Sequence, residues 1–403
     1  MSIAILYEYA ETDELGIKLT AEEMGIKLSY IPFRKVAVSI GNDGYNFKSK
    51  GRDFRELIED TNAVLNRTQS KNRRLYGSSI LEALGKYVIN SLSIESLCFS
   101  KFRTLAEFWK MGVKIPKTVY VPCDSHDQST AGVKLHNEED IADLIQSDLG
   151  NENVVVKPDG GTHGNAVRLA RERKDLVSFL DCTEPSIINP VGFVAQEFVE
   201  KWFYDLRIIV SKERGKPPYC YPVALARAGF KDFRTNTYLG NMVFGVNLPL
   251  DARDVAVKCG KAVGKENEAW LLALDAMFNI GADKFVDDEY IKSELEKLVS
   301  PFEGVREVKR DIGLKNHDFA TWNKHLETAY EKYKSAEAYE SVRKIIEESV
   351  ERGKNNILFH EANSCPEFWE QTRLIAGINV AIPLLKCAQS VSGWSVYQKI
   401  RER

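Results

Sequence analysis

With 403 residues, 44% of them hydrophobic, the chain is long enough for two or three domains with real cores. A formal net charge of -3 gives none of the basic excess of general nucleic-acid binders, and no apolar run approaches the roughly 18 residues of a spanning helix. Seven scattered cysteines without a CxxC pair argue against a disulfide framework or zinc site; with an N-terminus lacking a charged lead, they predict a cytoplasmic protein that binds neither nucleic acid nor membrane.

In chain order, "SIAILYEY", "IKLSYIPF", "NAVLNR" and "KYVINS" predict strands over the first hundred residues, separated by helix-like "RDFRELIED" and "RLYGSSILEALG". That alternation predicts a parallel sheet with helices on its faces. "SKFRTLAEFWKMG" predicts a helix ending at Gly112, and "KIPKTVYV" a strand after it. From Val154 the runs "NVVVKP", "VRLAR", "FVAQEFVE", "DLRIIVS" and "YPVALARAG" carry a two-residue period with tight turns and predict antiparallel sheet. Between about 281 and 355, Trp322, Leu326, Tyr330, Tyr333, Ala336, Tyr339, Val342, Ile346 and Val350 recur every three or four positions. This is the pattern of one long amphipathic helix, on the order of 40 Å in length. The segment holds no chemical motif and reads as a helical insertion that packs on the body or on a partner.

"VVVKPDGGTHGNAVRLA" places Lys157 at the end of an apolar strand, ahead of Gly160, Gly161 and Gly164. Glycines let backbone N–H groups approach phosphate oxygens, and the lysine supplies full charge. An ordinary hairpin with a surface lysine is the alternative, and the strand–GxxxxGK[ST]–helix class is excluded because no Gly-Lys-Ser/Thr follows. Gln196 and Glu197 interrupt the next apolar strand, and Asp205 and Arg207 share a face, as site residues or as a structural ion pair. "ALARAGFKDFRTNTYLGN" brings Arg227 and Arg234, whose guanidinium forks suit carboxylate or phosphoryl oxygens unless they are simply solvated, and the amide of Asn236. Asp275 in "WLLALDAMFNI" interrupts a hydrophobic run, as do Glu361 and Asn363 in "ILFHEANSCPEF", and a buried charge needs a partner. Side chains two apart on a strand share a face, so the three would make an oxygen-ligand site for Mg²⁺, although caps or backbone bonds could satisfy each singly. His360 is expected on the opposite face of that strand, and Cys365 as a packed residue.

These pieces, together with "VLNR", "VINS", Lys101 and "GVKIPKT", stand in an order that resembles the ATP-grasp superfamily, most closely its RimK-type glutamate ligases, over residues 1 to 280 and 356 to 390. The resemblance implies an α/β (α+β) fold: a parallel pre-ATP-grasp domain over 1–98, then two α+β lobes over 99–195 and 196–403 that clamp ATP. It implies that Lys101 and Lys157 bind the nucleotide phosphates under a flap containing Gly161, Thr162 and Gly164. Gln196, Glu197, Phe198 and Val199 would form the hinge that reads adenine, with Glu200 or Asp205 on the ribose. Arg227, Arg234 and Asn236 would steady the transferring phosphoryl group, Arg207 would face the substrate, and Arg67 is a candidate for binding the acceptor or for a structural role at its strand end. Asp275, Glu361 and Asn363 fall on the Mg²⁺ positions, with two ions expected and Mn²⁺ as a substitute. The family's flap usually reads Gly-Ser-x-Gly-x-Gly-Val, whereas Ala166 stands here in place of the last glycine. The implied activity is an ATP-dependent carboxylate–amine ligase that forms an amide through an acyl phosphate, releasing ADP and phosphate. Its amine would be an amino acid such as glutamate, and its acceptor a small-molecule or protein carboxylate. An ATP-grasp small-molecule kinase and a nucleotide-binding regulator without turnover are the rival expectations. The insertion would contact substrate or a neighbour in a homo-oligomer.

Overall fold

The computed structural model describes residues 2–49, 51–121, 138–150, 153–161, 164, 166–181, 192–235, 240–281, 283–311 and 318–393. The chain opens with β1 (Ser2–Tyr7), α1 (Thr12–Glu23) and β2 (Leu28–Pro32), and makes a small antiparallel sheet of β3 (Ala37–Gly41), β4 (Gly44–Ser49) and β5 (Arg52–Asp53). It then returns through α2 (Arg55–Glu59) to β6 (Thr61–Arg67), α3 (Lys71–Ala83) and β7 (Tyr87–Ile89). The expected parallel sheet is present, in the order β2-β1-β6-β7. Ile3, Ala4, Ile5 and Leu6 are all buried, the continuous apolar run of a strand covered on both faces. The small sheet has no counterpart in the expectations, because most of its residues are exposed or half-buried and little of it reads as core.

After α4 (Leu92–Phe99) and α5 (Lys101–Lys110), which is closed by Gly112 at φ +70°, the sheet character changes as expected. β8 (Thr118–Val121), β9 (Val154–Pro158), β10 (Arg168–Ala170) and β11 (Phe193–Glu197) pair antiparallel in the order β10-β9-β11-β8. α6 (Glu138–Leu149) and α7 (Arg173–Asp181) cover this sheet, and Ile141, Ile145, Val154, Val156, Leu176 and Leu180 form a core of its own.

The third sheet consists of β12 (Tyr204–Lys212), β13 (Tyr219–Cys220), β14 (Val223–Ala228), β15 (Met242–Asn247), β16 (Trp270–Phe278) and β17 (Ile357–Asn363). It is antiparallel throughout, ordered β15-β14-β12-β16-β17 with β13 beside β12. α8 (Leu250–Gly264) lies on it through Gly260 and Gly264, where a Cβ would stand only 2.5 and 2.2 Å from the Trp270 ring. After the short α12 (Gln371–Leu374), α13 (Ala381–Ser392) packs on α1, β6, β7 and β16, so the first and third sheets share one continuous core.

The insertion differs from the expected single helix. It comprises α9 (Asp288–Asp311), α10 (Phe319–Lys334) and α11 (Glu337–Gly353), with a break at Ser335 and Ala336. In an unbroken helix Tyr333 and Tyr339 would point about 120° apart. The break lets both rings close on Phe244 of β15, at 6.4 and 5.0 Å between centroids. The Tyr333 hydroxyl donates to the Val243 carbonyl at 3.1 Å and the Tyr339 hydroxyl accepts from the Gly245 N–H at 3.1 Å. The insertion therefore packs on the body of this chain.

Candidate active site

A cleft of about 350 Å³ lies where the three large sheets meet. Lys101 enters it because Ser100 caps α5, its hydroxyl accepting from the Arg103 N–H at 3.1 Å and fixing Lys101 as the first helical residue. The Lys101 ammonium donates to the Gly161 carbonyl at 2.6 Å. Lys71, the first residue of α3, reaches the same carbonyl at 3.5 Å, and Lys157 lies on β9 behind it. Burial, then the neighbouring Lys101 charge, pushes Lys71 and Lys157 each down to about 8. Three cations lining one cleft, two of them on a single carbonyl, repel one another, and the arrangement is suited to a polyanion. Lys71 was not among the expected residues; it follows an ordinary serine cap in sequence, and only the tertiary fold brings it to Gly161.

On the opposite wall, arginines and carboxylates of the third sheet form a ladder across strands. Arg207 grips Asp275 bidentately at 2.9 and 3.0 Å. Arg227 grips Asp205 at 2.7 and 2.9 Å and also approaches Asp275 at 3.3 Å. The expected structural alternative, an Asp205–Arg207 pair, is replaced by this crossed pattern because Arg207 stands opposite Asp275, and Asp205 opposite Arg227. Burial alone would raise the Asp275 carboxyl, but Arg207 and Arg227 hold it well below the usual range. Arg234 is forked onto Asp232 at 2.9 Å through both nitrogens, and reaches the Gly164 carbonyl at 3.3 Å. Lys201, pushed down to about 8 by burial, donates to the Thr235 hydroxyl at 2.8 Å.

Asp275 pairs with Glu361 across β16 and β17, but the register slips immediately beyond, where Ala276 pairs with Phe359. His360 is the extra residue of this bulge. It therefore lines the cleft beside Glu361, contrary to the alternation that put it on the far face. Burial and the Lys157 charge push its imidazole down to about 4. Burial would raise Glu361, yet Lys101, 3.9 Å away, and Lys71 keep it below its ordinary value.

Among the described residues no three His, Cys, Asp or Glu side chains group as a metal site. Glu361 and Asn363 nevertheless line the cleft beside the lysines and offer the hard oxygen donors that Mg²⁺ takes when phosphates complete its shell. The donor set fits a phosphate-shared ion, with Asp275 at present held by two arginines.

Other expected residues sort clearly. Gln196, Glu197, Phe198 and Val199 line the cleft. The Glu197 N–H donates to Lys117 and the Phe198 N–H to Asn153, at 3.0 and 3.2 Å, so these two backbone groups belong to the sheet edge. Glu200 is exposed and does not line the cleft, its carbonyl accepting from the Ile280 N–H at 3.0 Å, whereas Asp205 lines the cleft with its carboxylate gripped by Arg227. Arg67 does not line the cleft. It is buried between Asp13 at 3.0 Å, Glu14 at 3.3 Å and the Pro366 carbonyl at 3.1 Å, tying β6 to α1 and the segment after β17. Thr162 and Asn236 lie outside the described residues. No helix among the described residues is long and apolar enough to cross a membrane.

Comparison with known proteins finds similar ATP-grasp proteins. Residues 127–276 match the family model described as a RimK-like ATP-grasp domain. The chain is 25% identical over 328 residues to the alpha-aminoadipate–LysW ligase LysX of Sulfurisphaera tokodaii, covering 80% of this chain and 96% of that one. It is 28% identical over 195 residues to a probable alpha-L-glutamate ligase of Legionella pneumophila, covering 47% of this chain and 56% of the relative. In fold it is similar to the ATP-grasp ligase PsnB solved with a minimal precursor, with a TM-score of 0.52 at 12% identity over 96% of this chain and 98% of that one. Residues 127–276 therefore match a RimK-like ATP-grasp domain, and the chain is similar in sequence to a ligase over 80% of its length and in fold to an ATP-grasp ligase.

Proposed function

We propose that the chain joins an amino acid, through its amine, to a protein-borne carboxylate by way of an acyl phosphate. The observation that carries this reading is the meeting of Lys71 and Lys101 at the Gly161 carbonyl, with Lys157, Glu361 and Asn363 lining the same cleft beside them. Three crowded lysines gain most from a triphosphate, and the oxygen donors beside them gain from its metal. Bound Mg²⁺ would screen the phosphates and draw charge from the transferring phosphoryl group.

The chain's own residues supply position and charge. Lys71, Lys101 and Lys157 hold the phosphates, Arg234 ties the glycine loop to the β14–β15 loop, and Val199, whose N–H has no hydrogen-bond partner among the described residues, reads adenine. Arg207 and Arg227 are positioning residues: the Arg207 fork and the nearby Arg227 charge hold Asp275 in place and ionised. An acceptor carboxylate oxygen then attacks the γ-phosphorus, the bond to the β-phosphate oxygen breaks, and ADP leaves. The amine nitrogen attacks the acyl carbon, the bond to the phosphoryl oxygen breaks, and phosphate leaves as the nitrogen loses its proton to solvent. No protein nucleophile is required, since positioning and charge stabilisation carry both steps. Burial pushes the Cys365 thiol up, away from thiolate character. The amino acid and protein acceptor follow the relatives, one of which is named for joining alpha-aminoadipate to LysW.

Glu361→Gln is the test. Turnover should fall by about a hundredfold or more while ADP still binds; unchanged ATP-dependent product formation in this variant would contradict the site.

A further inference from the structure

The ligase chemistry leaves a second cavity unused. About 330 Å³ in volume, it lies between α9 of the insertion and the loop joining β14 to β15. Phe230, Leu295, Val299 and Phe302 give it an apolar floor, and Val299 is 47% exposed, an apolar side chain left open at a groove. Its rim is basic: Lys231, Lys292 and Arg306 line it against one carboxylate, Glu296. Lys292 is held by Glu289 at 2.6 Å, and Arg306 Nη1 by Glu303 at 3.2 Å. Arg306 Nη2 and Lys231 Nζ converge on Gly240, 3.5 and 4.0 Å from where a Cβ would stand. Gly240 has φ +88°, a conformation that favours glycine, and any side chain there would fill the gap between the two cations. Two cations brought to one point at the mouth of an apolar trough match a carboxylate adjoining an apolar side chain.

The same loop serves both cavities. Arg234 and Thr235 line the active-site cleft, Lys231 and Asn241 line the second cavity, and the Asn241 amide donates to the Arg234 carbonyl at 3.0 Å. An occupant of the groove therefore touches the element that presents Arg234 to the phosphates. We infer that the groove docks an acidic peptide segment with an apolar anchor residue, belonging to the protein acceptor. This rests on the ligase reading above. A free inorganic anion would have no use for the trough, and a neutral apolar ligand none for the rim.

The test uses the full chain without ATP and fluorescein-labelled peptides read by anisotropy. A glutamate-rich peptide with a central leucine should bind, and versions with leucine changed to serine, or glutamates to glutamines, should bind roughly tenfold more weakly or worse. The double variant Lys231→Glu/Arg306→Glu, and separately Val299→Asp, should weaken the parent peptide by a similar factor. ADP affinity measured on the same preparations should stay unchanged, showing that the chain is folded. Equal binding of all peptides, or indifference to these substitutions, overturns the proposal. So does a dimer by light scattering that Val299→Asp dissociates, since the groove would then belong to a second copy. Selective peptide binding in a chain that forms no acyl phosphate would sink the ligase reading alone; acyl-phosphate formation without peptide selectivity would sink the docking site alone.

Discussion

Arg67 looks in sequence like a strand-end cation free to grip a substrate, yet Asp13 and Glu14 occupy its guanidinium completely enough to make it part of the core. Its replacement should act on stability: Arg67→Met leaves two buried carboxylates without their cation and should cost about 3–5 kcal/mol in urea unfolding. An undiminished unfolding midpoint with a raised KM for acceptor would return Arg67 to the substrate site. Lys157 makes a prediction in pH. Its value near 8 lies below the ordinary lysine value of 10.5, so the folded chain sheds this proton before the unfolded chain does. The empty protein should gain stability from this group as pH rises from about 8 to 10.5, while nucleotide affinity falls as the charge disappears. ADP should bind roughly tenfold more weakly at pH 9.5 than at pH 7 by calorimetry, and Lys157→Met should flatten that slope. A pH-independent affinity in the native chain would remove Lys157 from the phosphate site.

At the scale of elements, α1, the segment after β17 and α10 are pinned in one junction. Asp13 accepts from the Phe368 and Trp369 N–H groups at 3.1 and 2.8 Å, and the Trp369 indole donates to Asn323 of α10 at 3.0 Å. Gly16 makes room for that ring, since a Cβ there would stand 2.0 Å from it. Gly16→Ala should therefore destabilise by about 3 kcal/mol through overpacking. Gly304→Ala, at a helical position with nothing within 4 Å, should be neutral or mildly stabilising by comparison. Equal effects of the two would show that the Trp369 contact is not tight. The elements also mark what was readable beforehand. Of the insertion's expected apolar positions, Trp322, Leu326, Tyr330, Tyr333, Tyr339, Val342, Ile346 and Val350 are all buried and Ala336 is half-buried at the break, so the apolar face was legible. The break at Ser335 was not, because period alone records which face is apolar and not where a sheet residue such as Phe244 pulls the chain aside.

Across the whole molecule, the parallel and antiparallel sheets were legible because their strands carry their own periodicity, and the shared face of Glu361 and Asn363, which both line the cleft, because spacing fixes a strand's face. Long-range consequences were hidden. The bulge that turns His360 into the cleft depends on β16, the approach of Lys71 depends on Gly161, and the second cavity depends on α9 meeting a loop some fifty residues earlier. Activation of a carboxylate by phosphorylation, carried by this assembly of lysines, arginines and oxygen donors, is checked by incubating the full chain with ATP, Mg²⁺, candidate carboxylates and hydroxylamine. ADP release accompanied by a hydroxamate of the acceptor is the expected result; ADP release with a stable phosphorylated product and no hydroxamate would overturn it.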